Sequence, residues 1–257
     1  MDPHRVDILH IADGDARIRG VAHHLVLDLL PADEAPLHHH LADRAGAQAG
    51  ADKINDKFGK GTAVAIAANI SSKENLQNLV NGSNRAFGKI DVLVCNAASN
   101  PYYGPLAGIS DEQFRKILDN NIVANNWLTS MVVPQMIERK DGSVIIVSSI
   151  GGLKGSTILG AYAISKAADM QLARNLACEY GPHNVRVNCI APGLIKTDFA
   201  KALWDNPENL KASTSRSPLL RIGIPDEIAG AAVFLGSAAG NFMTGQTMVI
   251  DGGATIS

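Results

Sequence analysis

Ser143-Val-Ile-Ile-Val-Ser-Ser149-Ile-Gly-Gly152 and, one loop later, Ala161-Tyr162-Ala-Ile-Ser-Lys166 decide how the rest of the chain is read. The first is an apolar run that ends in two hydroxyls and two glycines. Such a run without alternation is the pattern of a strand buried on both faces of a parallel sheet. A hydroxyl at the carboxyl end of such a strand lies where ligands bind in open α/β sheets, and it can hydrogen-bond a carbonyl oxygen. The blander reading is that Ser148 and Ser149 only cap the strand and start a turn. The second stretch opens a helix. Tyr162 and Lys166 are four residues apart, so they share one helical face. A neighbouring ammonium favours the phenolate and lowers a tyrosine pKa from about 10 towards the range useful for proton transfer. Taken alone, a Tyr and a Lys at this spacing is usually a surface pair. The strand, the serines and a loop long enough to return to the same sheet edge make it more than that.

Working outward, the same alternation repeats. Ala51–Phe58 reads as the end of a helix closed by Gly59, Thr62–Ala68 as a buried strand, and Ser72–Phe87 as a helix followed by Gly88. Ile90–Cys95 is a strand, Asp111–Glu138 a long helix with Pro134 near its end, and Ala161–Tyr180 a second long helix. Val185–Ile190 is a strand, Asp226–Leu235 a helix and Thr247–Ile250 a last strand. Strands alternating with helices, each strand apolar throughout, predict an α/β fold. We expect a Rossmann-like, doubly wound parallel sheet flanked by helices, in a single domain.

Composition sets outer limits. The 257 residues are 46 % apolar and 19 % charged, the profile of an ordinary globular domain. A net charge of −2 gives no electrostatic reason to expect nucleic acid or an anionic membrane as partner. No apolar run approaches the length of a transmembrane helix, and no signal-peptide pattern opens the chain. Cys95, Cys178 and Cys189 are few and scattered, which argues against a disulfide framework or a zinc site and fits a reducing cytoplasm.

Residues 1–50 do not share this regularity. They hold seven of the eight histidines and no Lys, Ser, Thr, Asn, Phe, Tyr or Trp, all of which residues 51–257 use freely. Strand formers and capping residues are therefore scarce in them. The clusters His23-His24 and His38-His39-His40 lack spaced Cys, Asp or Glu partners, so no metal site is expected.

Ser149, Tyr162 and Lys166 resemble the Ser and Tyr-x-x-x-Lys core of the short-chain dehydrogenase/reductase family. Further stretches follow in that family's order. Leu93-Val-Cys-Asn-Ala-Ala98 is similar to its Asn-Asn-Ala-Gly segment, with Cys95 at the first Asn and Ala98 at the Gly. Asp119-Asn-Asn121-Ile resembles the segment carrying the structural Asn of its tetrad. Asn184-Val-Arg-Val-Asn-Cys-Ile-Ala-Pro192-Gly193-Leu-Ile195-Lys-Thr197 resembles its sixth strand and Pro-Gly loop, and Thr244–Gly253 its last strand. The likeness covers about residues 51–257 and is closest to carbonyl-reductase and 3-oxoacyl-reductase members.

The resemblance implies an NAD(P)-dependent oxidoreductase acting on a ketone, aldehyde or secondary alcohol. In it Tyr162 would be the general acid/base, and Lys166 would lower its pKa and bind the nicotinamide ribose. Ser149 would hold the substrate oxygen, and Asn121 would position a water in a proton relay. Cofactor contacts would come from Asn69, Ile70, Asn96, Ala97, Ala98, Tyr162, Lys166, Pro192, Gly193, Ile195 and Thr197; Asn69 reads equally well as a turn residue. Residues 196–217 would form a lid, and Tyr102, Tyr103 and Trp204 would line the substrate pocket or be half-buried surface aromatics. The cofactor implied is NADP or NAD, NADP placed first; the partner is a small carbonyl or alcohol, the assembly a homotetramer. The family's glycine-rich pyrophosphate turn should fall near Gly20, where Gly14 and Gly20 stand alone, with Val6–Ile11 as the only strand candidate. Residues 1–50 are thus either a divergent first β-α-β unit or a stretch read in a shifted frame, and the compositional break favours the second. Two other readings remain: a 3-oxoacyl thioester reductase, and a catalytically silent relative lacking a cofactor loop.

Overall fold

The structure, a computed structural model, describes residues 25–26 and 38–257 apart from 216, with side chains from residue 46 onward. Val6–Ile11, Gly14, Gly20 and the His23-His24 pair lie outside the described residues, as do the side chains of His38-His39-His40.

Five parallel strands form one sheet in the order β1 (Leu25–Val26), β2 (Val92–Cys95), β3 (Gly142–Val147), β4 (Val185–Pro192) and β5 (Thr247–Ile250). Helices connect and flank them: α1 (His38–Phe58), α2 (Lys73–Phe87), α3 (Asp111–Leu118), α4 (Ala124–Arg139), α5 (Gly160–Tyr180), the short α6 (Lys201–Trp204) and α7 (Pro207–Thr214), and α8 (Pro225–Gly236). The expected α/β class, a Rossmann-like parallel sheet flanked by helices in a single domain, is the observed one. Within the described residues the strands follow chain order.

The two-residue period of each strand sorts its side chains between two cores. Leu93 and Cys95, Val144 and Ile146, and Val187 and Cys189 face α2, α4 and α5. Val92, Val94, Ile145 and Ile190 face α8. Because both faces are covered, β2 and the Val144–Val147 part of β3 read as unbroken apolar runs, which is why they could be recognised, while β4 is interrupted by Arg186 and Asn188.

Local signals explain most boundaries. Ser72 caps α2 by accepting from the Asn75 amide, and Ser110 with Gln113 forms a capping box on α3. Gly59 closes α1 in the left-handed region (φ +107°), its N–H donating to the Asn55 carbonyl at 2.9 Å. The compositional break at residue 50 falls inside α1.

Two expectations need correction. Thr62–Ala68 is not a strand: it carries no helix or strand and is followed only by a bridge at Asn69. The Asn55 side chain instead takes both backbone groups of Ala63, each at 3.0 Å. A strand needs a neighbour to satisfy its backbone, and none is paired with this run among the described residues. The single helix expected over Asp111–Glu138 is split by a π turn at Asp119–Val123, closed by the Ala124 N–H on the Asp119 carbonyl. One extra residue is accommodated there, a feature frequent at functional sites and invisible to apolar spacing.

Candidate active site

The carboxyl ends of parallel β2, β3 and β4 lie at one edge of the sheet. Ser149 follows β3 in an extended conformation and its Oγ accepts from the Gly151 N–H at 3.0 Å. The loop then presses directly on α5. A Cβ at Gly152 would stand 2.6 Å from Lys166 C and Ala167 N, so only glycine fits between strand end and helix. Ser148 Oγ donates to the Lys166 carbonyl at 2.7 Å and fastens the same junction. These contacts bring the Ser149 hydroxyl to the Tyr162 phenol, which it hydrogen-bonds.

Lys166 is nearly sealed, at 1 % exposure. Its Nζ donates to the Val147 carbonyl at 2.9 Å and to Asp169 Oδ2 at 3.0 Å. It also stands 5.7 Å from the centre of the Tyr162 ring. Burial alone would lower the lysine pKa, but Asp169 and Tyr162 outweigh it and the net direction is upward. Lys166 is therefore a cation.

Tyr162 goes the other way from expectation. Burial pushes its phenol up; Lys166 and the Ser149 hydrogen bond pull it down without cancelling burial, and Asp169 adds to the rise. Tyr162 is thus a neutral phenol, a proton donor, and the lysine limits the rise instead of producing a net fall.

Asn121, wholly buried in the π turn, sits behind these groups. Its Oδ1 accepts from the Ser99 N–H at 2.8 Å, and its Nδ2 donates to the Ser99 carbonyl at 3.1 Å and to Ser165 Oγ at 3.0 Å. Ser165 Oγ in turn donates to the Tyr162 carbonyl at 2.7 Å. The Asn121 side chain thereby ties the loop after β2 to the first turn of α5, while its carbonyl accepts from Asn125 Nδ2 at 2.6 Å.

The remaining residues named from sequence fall around this edge. Asn96 is exposed and Ala97 and Ala98 half-buried after β2; Pro192, Gly193, Ile195 and Thr197 are half-buried after β4. The Gly193 N–H donates to Ile250 O at 2.9 Å, and Ile195 bridges Gly223. Thr197 O accepts from Trp204 Nε1 at 2.9 Å, which anchors the 196–217 segment. Asn69 behaves as a turn residue, its Oδ1 accepting from the Ser71 N–H at 2.8 Å. Ile70 points into the core at 1 % exposure, leaving only its backbone to face a ligand. Tyr102 donates its hydroxyl to the Pro105 carbonyl at 2.9 Å, and Tyr103 is exposed beside Tyr162.

Two residues escaped the sequence reading. Phe199 places its ring 6.2 Å from that of Tyr162. Asp169 is a wholly buried carboxylate on the inner face of α5, among Met170, Ala173 and Leu176. The signal for Asp169 was present: helical spacing from Lys166 puts it on a face otherwise apolar.

A nicotinamide cofactor fits the donor set at this edge. Lys166 and Tyr162 offer adjacent donors to ribose hydroxyls. Asn100 Oδ1, buried in the loop after β2, has no hydrogen-bond partner and suits a ligand that donates. These groups would hold the nicotinamide-ribose half; no glycine-rich turn for the pyrophosphate occurs among the described residues.

Comparison with known proteins agrees. The profile of the family described as enoyl-(acyl carrier protein) reductase matches residues 14–255. The chain is 40 % identical over 197 residues to the Bos taurus dehydrogenase/reductase SDR family member 4, covering 76 % of this chain and 71 % of the relative. Against the Oryctolagus cuniculus protein of the same name it is 43 % identical over 185 residues, 72 % and 71 % of the two chains. Among solved structures, a candidate NAD(P)-dependent gluconate 5-dehydrogenase from Beutenbergia cavernae with NADP bound at low occupancy superposes with a TM-score of 0.77, 32 % identity, and 82 % and 84 % coverage. A short-chain type dehydrogenase/reductase from Mycobacterium ulcerans gives a TM-score of 0.75, 28 % identity, and 81 % and 76 % coverage. The chain belongs to the short-chain dehydrogenase/reductase family, as an oxidoreductase of CH–OH and C=O groups that uses NAD(P).

Proposed function

We propose that the chain reduces a hydrophobic ketone or aldehyde, or oxidises the matching secondary alcohol, with Tyr162 as the proton donor and acceptor. The observation that carries this reading is the neutral Tyr162 phenol held between the Ser149 hydroxyl and the Lys166 ammonium. Bound nicotinamide supplies the hydride. Ser149 donates a hydrogen bond to the substrate oxygen and orients it at the phenol. Tyr162 gives its proton to that oxygen as negative charge develops there. Lys166 stays charged and stabilises the phenolate left behind. Asn121 acts indirectly, by holding the loop of Asn96, Ala97 and Ala98 against α5. Pro192, Gly193, Ile195 and Thr197 form the opposite wall of the cofactor cleft, with Asn69 and Ile70 at its far end.

The mouth of the site favours apolar substituents. Phe199, Tyr103, Leu153 and Ile158 are each 43–50 % exposed near it. The Gly104 N–H donates to the Ile158 carbonyl at 3.0 Å, which joins two of these loops. The 196–217 segment, built from α6 and α7 with Asn206 as N-cap, is the lid. A 3-oxoacyl thioester is the second substrate class, favoured by the acyl-carrier description of the matching profile. NADP is the preferred cofactor, a reading supported by the NADP bound at low occupancy in the Beutenbergia cavernae neighbour. A homotetramer fits Phe242, Phe234 and Val249, exposed apolar residues about the edge strand β5. A cytoplasmic setting fits the free, buried Cys95 and Cys189, and no helix among the described residues is long and apolar enough to cross a membrane.

The test is consumption of NADPH, and separately NADH, with aryl ketones, alkyl ketones, aldehydes and a 3-oxoacyl thioester. Turnover of aryl or alkyl ketones with NADPH at least tenfold above the thioester is expected. Preference for the thioester would install the second reading. No turnover by folded protein on any substrate would leave the silent relative.

A further inference from the structure

The floor of the site contains a polar chain that the reading above does not use. Lys166 Nζ donates to Asp169 Oδ2 at 3.0 Å, Asp169 Oδ1 accepts from Asn125 Nδ2 at 3.0 Å, and the same Nδ2 donates to the Asn121 carbonyl at 2.6 Å. All four residues are at most 4 % exposed. The chain runs from the middle of α5 to the π turn, and every link is a protein group.

We propose that Asp169 and Asn125 are positioning residues, which fix the Lys166 ammonium beside the Tyr162 phenol and join it through side chains alone to the backbone of the π turn. Both stand where the surrounding helix faces are apolar, among Ala124, Leu128, Met170 and Ala173. A carboxylate and an amide in such a place each carry a desolvation cost, and a well-packed apolar pair would carry none. Asn125 matches the task because its nitrogen has two hydrogens, one for the carboxylate and one for the carbonyl. Thr129 Oγ1 takes the Asn125 carbonyl at 2.8 Å and continues the same helix face.

The consequence reaches Tyr162 through charge. The Asp169 carboxylate pairs with the ammonium at 3.0 Å and offsets part of the lysine's pull on the phenol, the pull being the larger of the two. The thiols facing the cluster do not do this work. Cys95 from β2 and Cys189 from β4 are thiols pushed up to about 12 by burial, hence neutral. Tyr103, in the loop after β2, adds a smaller upward push, and Ser149, at the end of β3, pulls down through its hydrogen bond. Asp169 is thus the carboxylate that keeps Lys166 charged, and its removal leaves a buried ammonium that burial drives towards the neutral amine.

This inference rests on Tyr162 being the acid–base group, but its test needs neither cofactor nor substrate, so its failure is distinct from failure of that reading. The tyrosinate absorbance of the whole protein is titrated with base, and the same titration of a Tyr162→Phe partner is subtracted in each background. That isolates one tyrosine of the four. Asp169→Asn removes the charge at constant size. Because an amide there turns a donor towards Lys166 or Asn125, the double variant Asn125→Leu/Asp169→Leu, which replaces the bridge by apolar volume, is titrated as well. The Tyr162 midpoint is expected to rise by about one pH unit in whichever variant retains the native circular dichroism, because the lysine's pull on the phenol exceeds the carboxylate's push and is lost when the unanchored ammonium shifts or deprotonates. A midpoint unmoved or lowered in folded variants would overturn the proposal and leave Asn125 and Asp169 a purely structural pair.

Discussion

Tyr162→Phe should lower ketone turnover by about a thousandfold while the protein keeps its fold and still binds cofactor. The magnitude is the middle of the range for loss of a positioned general acid. The phenol oxygen accounts for it: its bond to Ser149 and its place beside Lys166 are the only features of Tyr162 that the substitution removes. The ring remains, and with it the approach of Phe199 at 6.2 Å. Loss of the hydroxyl leaves no buried partner unsatisfied, since Ser149 Oγ still accepts from the Gly151 N–H. A thermal melt unchanged within a few degrees should accompany the loss. Steady-state kinetics should put the defect in kcat, because Phe199 and the lid that receive the substrate are untouched.

Lys166→Met should cost far more stability. The ammonium and the Asp169 carboxylate are 2 % and 0 % exposed, so solvent does not replace a missing partner. Breaking a buried pair by removing one member costs about 3–5 kcal/mol, because the other charge is left uncompensated. For a chain of this size that is a fall in melting temperature on the order of 10 °C. Cofactor affinity should weaken as well, since the ribose loses its cationic donor. Adding Asp169→Leu to Lys166→Met should restore most of the stability without restoring catalysis. The strong non-additivity expected for groups in one network is then measurable by urea denaturation of the four proteins.

The strands about the site were legible because both sheet faces are covered. Val92–Cys95 and Val144–Val147 are unbroken apolar runs for that reason, and α5 announced itself through Tyr162 and Lys166 at its start. What could not be read has physical causes. The π turn at Asp119–Val123 depends on a one-residue shift in backbone pairing, to which side-chain spacing is blind. Thr62–Ala68 has the composition of a strand but its pairing depends on a neighbour, and composition does not report neighbours. The direction of the Tyr162 shift was misjudged because the sequence shows the lysine and not the burial that outweighs it. Asp169 was overlooked although its position on the helix was known, since a charged residue three after a lysine is ordinarily a solvent-exposed pair.

Lys166 and Tyr162 are useful to an oxidoreductase only if the chain binds a nicotinamide cofactor beside them. Titration of the purified protein with NADPH, followed through cofactor fluorescence, tests that most directly. Saturable binding in the micromolar range, weakened at least tenfold in Lys166→Met protein shown to be folded, is the result predicted. Folded wild-type protein that leaves NADPH and NADH fluorescence unchanged at millimolar protein would contradict it, and the constellation at the end of β3 would then be without its hydride donor.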